Sequence, residues 1–350
     1  MNLLKYNRIN KILIFRLSSM GDIILTTPIA RILRKQFPNA QIDVITAKQF
    51  TDIYSFNPYI NNVLEYDKSS TLKEVDEFKN SILHSNNGKY DLIVDLHRNI
   101  RSKYFMNKLT NHVVRIKKHR LKKMSLVHLK KNIFTDIPLI PLNYIDSLSD
   151  LNIQDDRGGL ELWFPEEKSK GFYPPDSRQS PKKGKIKIAV APGAFHKTKR
   201  YPIDYLTISL NKIYEEIKPE IFIIGGKDDV AICNDLINQL SFTPIDCSGS
   251  TSIIDTARWI NGCDLLLTND SGVMHIAAAR QVPIVAIFGS TVPEFGFSPF
   301  RVKHTILETN ISCRPCTHIG RSECPKGHFK CMMNITPDIV TNSVLKTVMI

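Results

Sequence analysis

Ten short apolar runs, each separated from the next by an amphipathic or polar stretch, restrict this chain more than any other feature. In the first half they are Lys11–Phe15, Gln41–Ile45, Asn62–Glu65, Asp91–Asp95 and His112–Ile116. In the second half they are Ile186–Ala191, Glu220–Ile224, Thr243–Asp246, Asp264–Thr268 and Pro283–Phe288. Strand-length runs that alternate with helical patterns predict parallel sheets covered by helices, because a parallel strand needs a crossover and is buried on both faces. Between the halves, the segment from Tyr173 to Gly184 is rich in Pro, Ser and Lys and has no periodicity, so it reads as a linker. The expected class is α/β, with two doubly wound lobes over 1–175 and 186–350 joined through 176–185. A length of 350 residues with 42% hydrophobic and 23% charged residues suits two globular domains. No short-period repeat is visible.

In open α/β sheets, ligands collect beyond the carboxyl ends of the strands, where backbone N–H groups and helix N-termini favour anions. The stretch Leu265 to His275 has that form: an apolar strand, the polar turn Asn269-Asp270-Ser271-Gly272, then the small-residue helix Gly272–Ala279. Ser271 and Gly272 stand where the N–H groups would hold a phosphate, and Asp270 can accept from hydroxyls. His275 lies one turn into that helix and suits either a ligand contact or a packed core histidine. The next strand ends in a second polar turn, Gly289-Ser290-Thr291.

At the first strand's end comes Arg16-Leu17-Ser18-Ser19-Met20-Gly21-Asp22, where Gly21 permits a sharp turn and close approach of a ligand. Thr27 as N-cap and Pro28 at the first helical position predict a helix to Gln36 that buries Ile29, Ile32, Leu33 and Phe37. Asp22 has two readings: a general base that deprotonates an attacking hydroxyl, or a cap on the short turn Ile23–Thr26.

Charge is unevenly spread. Lys plus Arg number 47 against 34 Asp plus Glu, a net +13, and no acid lies between Asp95 and Asp136. That interval carries Arg98, Arg101, Lys103, Lys108, Arg115, Lys117, Lys118, Arg120, Lys122, Lys123, Lys130 and Lys131. Such a face suits a nucleic acid, an anionic membrane surface or a phosphorylated glycolipid, or is a solvated helix surface. It shows no nucleic-acid-binding signature. The stretch Met1–Lys11 is followed by only Ile12–Phe15 as an apolar run, too short for a signal-peptide core or a membrane span, so a cytoplasmic protein is expected.

Four of seven cysteines, Cys313, Cys316, Cys324 and Cys331, cluster with His318 and His328. The Cys-x-x-Cys pair plus two further thiolates makes a structural zinc site an alternative to no metal at all. Disulfides are disfavoured in a reducing compartment.

The segments Arg16–Pro28, Thr268–His275 and Phe288–Thr291 resemble glycosyltransferase family 9, the ADP-heptose:lipopolysaccharide heptosyltransferases, and the likeness spans nearly the whole chain. The cysteine segments Cys313-Arg314-Pro315-Cys316, Cys324-Pro325 and His328-Phe329-Lys330-Cys331 are similar to those of the heptosyltransferase II branch, where no metal is implied. The resemblance implies a GT-B fold of two Rossmann-like lobes facing a central cleft, with acceptor binding by the first lobe and nucleotide-sugar binding by the second. It implies inverting transfer without a catalytic metal or other cofactor. It makes Asp22 the base, Lys199 the lysine that meets the donor diphosphate, Asp228 a contact to nucleoside or sugar hydroxyls, and Asp270 a contact to sugar hydroxyls. Ser271, Gly272 and His275 complete the donor site. Ser19, Arg98, Arg101 and Arg120 are the acceptor-side candidates.

Three positions depart from the pattern: Asn269 and Ser271 stand where Pro or Val and Thr are expected, and Ser271 keeps the hydroxyl. Tyr201 replaces a frequent Trp, which leaves base or ribose stacking open. The expected partners are an ADP-sugar, a phosphorylated glycolipid and the inner-leaflet surface, with no nucleic acid. The competing reading is a non-catalytic nucleotide or nucleic-acid binding protein that uses the face 98–131. A Rossmann oxidoreductase has no support, because no G-x-G-x-x-G follows the first strand.

Overall fold

The computed structural model describes residues 9–86, 88–134, 136, 139–167, 184–249 and 252–349. The chain divides into two compact units, one of Met1–Lys118 with Ile140–Phe172 and one of His119–Leu139 with Tyr173–Ile350. Most of the stretch expected as a linker lies outside the described residues.

The first unit holds a five-stranded parallel sheet of β1 (Lys11–Phe15), β2 (Gln41–Ala47), β3 (Asn62–Tyr66), β4 (Leu92–Asp95) and β5 (Val113–Arg115), in the order β3-β2-β1-β4-β5. The second holds six parallel strands: β6 (Lys187–Ala191), β7 (Glu220–Gly225), β8 (Ile245–Ser248), β9 (Leu265–Asn269), β10 (Ile284–Ile287) and β11 (His304–Leu307). Their order is β11-β10-β9-β6-β7-β8. All ten anticipated strands are present. β11 was not anticipated, because its four residues sit at a sheet edge and two of them are exposed, so no apolar run marks it.

These orders fix where a ligand can bind. In the first sheet the chain winds from β1 outward to β3 and then restarts on the other side at β4. In the second it winds from β6 to β8 and restarts at β9. Crossovers leave in opposite directions at each restart, which opens a crevice at the carboxyl ends of β1 and β4 in one unit and of β6 and β9 in the other.

Burial matches the pattern that suggested the strands. Every residue of β9 and β10 is buried, as central parallel strands require. The helix Thr27–Gln36 buries Ile29, Ile32 and Leu33, with Thr26 rather than Thr27 as its cap residue. The Thr27 hydroxyl instead bonds the Ile24 carbonyl and accepts from the Glu161 N–H. Arg31 fastens this helix to the segment after the first sheet, pairing with Asp156 at 2.7 Å and Glu161 at 2.5 Å.

Residues 119–139 belong with the second unit although they interrupt the first in sequence. Leu126 and Val127 pack there against Val292 and Phe295 in one apolar cluster. Burying such side chains contributes about 1.5–3 kcal/mol each, enough to commit a short segment. Among the described residues, no helix is long and apolar enough to cross a membrane.

Candidate active site

At the β1/β4 crevice, the strand β1 delivers Arg16 and Asp22 to the carboxyl edge. A one-turn helix, Met20–Ile24, follows the strand with Ser19 as its N-cap. The Asp22 Oδ2 accepts from the Ser19 N–H at 3.2 Å and from its hydroxyl at 2.9 Å, so Asp22 does serve as part of a cap. Its Oδ1 pairs with the Arg16 guanidinium at 2.8 Å, and the carboxylate side chain remains 23% exposed. Cap and base are therefore compatible roles, since each carboxylate oxygen has lone pairs to spare. Burial alone would raise the Asp22 carboxyl, but the Arg16 charge and the Ser19 hydrogen bonds outweigh it and hold the group below the usual carboxylate range.

Sequence reasoning missed His97. It follows β4 at the same edge, its N–H donates to Asp95 Oδ1 and its ring stands edge-on to Phe15. Burial, reinforced by the positive charges of Arg16 and Lys118, lowers its imidazole to about 4, so it is neutral at physiological pH. The signal for it lay in Asp95-Leu96-His97, a polar step directly after a buried strand.

Of the acceptor-side candidates, Ser19 touches Asp22 directly. Arg98 is exposed, takes a left-handed backbone at φ 45° and donates to the Ile116 carbonyl at 2.5 Å. Arg101 is exposed on the helix Ile100–Met106. Arg120 is exposed at the start of the helix Arg120–Met124, which belongs to the second unit, so the basic interval is divided between the two units.

At the β6/β9 crevice the structure joins two residues that sequence kept 71 positions apart. Lys199, at the end of a short 3₁₀ turn after β6, places its Nζ 2.6 Å from Asp270 Oδ2. The Thr291 hydroxyl, from the turn after β10, donates to the same oxygen at 2.6 Å. Both contacts fall on Oδ2, so among the described residues Asp270 Oδ1 is left as an acceptor for a ligand hydroxyl. Beside this cluster the helix Gly272–Ala279 begins, and the Ser271 hydroxyl does not cap it but lies 3.4 Å from Thr268 Oγ1. Its first-turn N–H groups thus suit an anion.

The neighbouring residues hold this arrangement. The Asn269 amide donates to the Pro192 carbonyl at 2.8 Å and accepts from the Tyr201 N–H at 3.1 Å, tying β9 to the loop after β6. Arg314 donates to the carbonyls of Gly289 and Thr291, which fixes the turn that carries Thr291. Neither role was legible in the sequence.

Three candidates differ from the simplest reading of them. His275 is only 3% exposed, which fits the packed histidine. Asp228 is exposed, whereas its neighbour Asp229 turns inward: a Cβ on Gly193 would meet Asp229 Oδ1 at 2.2 Å. Tyr201 is 2% exposed and its hydroxyl donates to the Ile335 carbonyl at 2.6 Å, so its ring belongs to the core and not to a stacking platform. The exposed aromatic at this edge is Phe195, at 91%.

The four clustered cysteines, Cys313, Cys316, Cys324 and Cys331, line one small cavity together with His328. All seven cysteines are free, Cys313 Sγ lies 3.8 Å from His328 Nε2, and among the described residues no three ligating side chains come close enough to share an ion. Burial raises the Cys316 thiol and pushes Cys331 up to about 11. A cavity of about 570 Å³ in the first unit, lined by Gln41, Asp43, Asn62, Asn86 and Tyr90, opens at the amino ends of the strands, opposite Asp22.

Residues 86–326 match the pattern of glycosyltransferase family 9 (heptosyltransferase), which takes in both units. The chain belongs to glycosyltransferase family 9. It is therefore an enzyme, which sets aside the non-catalytic nucleotide- or nucleic-acid-binding reading. A lipooligosaccharide heptosyltransferase 2 of Campylobacter jejuni is 27% identical over 339 residues, 94% of this chain and 96% of that protein. A second from that species is 33% identical over 173 residues, which cover 47% of this chain and 52% of that protein. The crystal structure of a family 9 glycosyltransferase from Veillonella parvula superposes with a TM-score of 0.78 at 24% identity, over 97% of this chain and 98% of that one. The family 9 fold here is GT-B.

Proposed function

We propose that this glycosyltransferase moves a heptose, or a closely related sugar, from an ADP-sugar to an inner-core lipopolysaccharide acceptor, with inversion and without a catalytic metal. The observation that carries the reading is the Lys199–Asp270–Thr291 cluster beside the uncapped start of the helix Gly272–Ala279. A diphosphate seated there meets an ammonium and helix N–H groups, which stabilise the negative charge that builds on departing ADP. Asp270 Oδ1 accepts from a sugar hydroxyl. In the first unit, Asp22 takes the proton of the acceptor hydroxyl as its oxygen attacks the anomeric carbon from the face opposite the diphosphate. One C–O bond forms, the bond to the diphosphate breaks, and the proton ends on Asp22. The reading requires both half-sites to address one sugar.

The acceptor is a phosphorylated glycolipid, and we assign its phosphates and the surrounding anionic headgroups to the divided basic interval. Leu121, Met124 and Leu129 are 79%, 56% and 68% exposed among Arg120, Lys122, Lys123, Lys130 and Lys131, a composition that suits the cytoplasmic surface of the inner membrane.

Asp22→Ala tests the base. Transfer from ADP-heptose to truncated lipopolysaccharide is expected to fall by about 10²–10⁴-fold. Calorimetric ADP affinity should stay near that of the unaltered enzyme, because Asp22 lies in the other unit from Lys199. Near-normal turnover would discard the assignment.

A further inference from the structure

Arg16 is 9% exposed, and its guanidinium is used on every side. Its Nε donates to the Ser18 carbonyl at 2.9 Å, one terminal nitrogen donates to the Leu96 carbonyl after β4, and the other pairs with Asp22 Oδ1 at 2.8 Å. One side chain therefore joins the two strand ends of the first crevice and the carboxylate between them. The remaining titratable neighbours do not replace it. His97 is neutral, the buried Tyr144 is raised by burial and stays protonated, and Asp95 is committed to Ser102 and the N–H groups of His97 and Arg98. Lys68 and Lys118 act on His97 from further elements. Arg16 is thus the cation in direct contact with Asp22.

We propose that Arg16 is a positioning residue for transfer, holding the Asp22 carboxylate ionised and aimed so that it can receive the acceptor proton. This rests on the reading of Asp22 as the base. A carboxylate in a buried site without its cation would prefer to be neutral, and a neutral carboxyl cannot accept the proton. Arg16 also makes the protonated state short-lived, since neutralising Asp22 strands a buried guanidinium without its counter-ion. Its planar fork reaches three acceptors in fixed directions, which an ammonium on a flexible stem cannot do at once.

The test compares Arg16→Gln and Arg16→Lys with the unaltered enzyme, using the pH profile of kcat/KM for transfer and the ¹³C titration of the Asp22 carboxyl. In Arg16→Gln the acid limb should move toward neutral pH by about 1–3 pH units, so that activity lost at pH 7 returns at higher pH. In Arg16→Lys the limb should stay near its original place while kcat falls. A loss of equal size at every pH in Arg16→Gln, or an unmoved Asp22 titration, would overturn the proposal. If Arg16→Gln fails to fold, Arg16→Lys decides: an undiminished kcat would show that charge alone suffices and would end the positioning role. The carboxyl titration needs no substrate, so an enzyme that transfers no sugar refutes the proposed function while the Arg16–Asp22 coupling is still read separately.

Discussion

Replacing Lys199 by Met separates the two halves of the Lys199–Asp270 pair, the proposed donor site. In the resting structure the ammonium neutralises a carboxylate whose side chain is 8% exposed, while the lysine side chain is itself 16% exposed. Removing one partner of a buried pair costs about 3–5 kcal/mol, and the residual solvent access of Lys199 sets the lower end, about 3 kcal/mol. For a unit of this size each kcal/mol lowers Tm by about 2–4 °C, so Lys199→Met should melt about 6–12 °C below the unaltered enzyme. ADP loses a charge-assisted contact worth about 1.5–3 kcal/mol, a weakening of about 10- to 150-fold. Asp270→Asn behaves differently. It frees the ammonium and removes a carboxylate from beside the diphosphate, so ADP should bind as well as before or more tightly, while sugar transfer drops. The double variant should be more stable than the sum of the single losses predicts, by about 0.5–3 kcal/mol, because neither charge is then left alone. Calorimetric titration with ADP and thermal unfolding measure both quantities. Equal weakening of ADP in the two single variants, or ADP binding untouched in Lys199→Met, would show that the ammonium does not meet the diphosphate.

Three further outcomes follow from geometry outside that pair. Tyr201→Phe leaves the buried Ile335 carbonyl without its donor and should cost about 1–3 kcal/mol in urea unfolding, with ADP affinity unchanged; a weakened ADP complex would return Tyr201 to the binding surface. Gly193→Ala drives a methyl into Asp229 and should displace the loop after β6, weakening ADP in calorimetry, whereas an unaltered affinity would uncouple that loop from the nucleotide. His97 is held near 4 in the folded protein, below its ordinary value of 6.5, so the unfolded chain binds the extra proton first. Its contribution is fully present above pH 6.5 and is lost as pH falls toward 4. His97→Gln should therefore flatten the decline of stability across that window, and an unchanged slope would refute the assignment.

The ladder of the fold was legible because central parallel strands are apolar on both faces. Leu265–Asn269 and Ile284–Ile287 are the clearest cases, and the turns after them carry Asp270 and Thr291 as the strand pattern implied. Edge elements were not legible in the same way. β8 begins two residues later than anticipated, at Ile245, where the strand is half exposed and the local composition has little to say. The placement of residues 119–139 depends on Leu126 and Val127 meeting Phe295, a contact between segments far apart in sequence. The same limit hid Arg314 and Asn269: each acts through carbonyls of distant turns, and any backbone offers those regardless of sequence.

Asp22 shows why local rules could not choose between a structural and a chemical role. A cap requires a carboxylate that accepts from the backbone at the start of a helix, and Ser19 supplies that contact. A base requires a carboxylate that is fixed in direction, ionised and within reach of solvent. The Ser19 bonds fix one oxygen, Arg16 fixes the other and opposes the neutralising effect of burial, and the remaining exposure leaves a path for an incoming hydroxyl. The bonds at the start of the helix are therefore the bonds that would orient the proposed base, so a sequence signal for one is also a signal for the other. What distinguishes the roles is Arg16, whose buried charge is more than a cap needs: the Ser19–Asp22 contacts serve the helix start, whereas Arg16 adds a cation that, with those bonds, holds the carboxylate charged against burial.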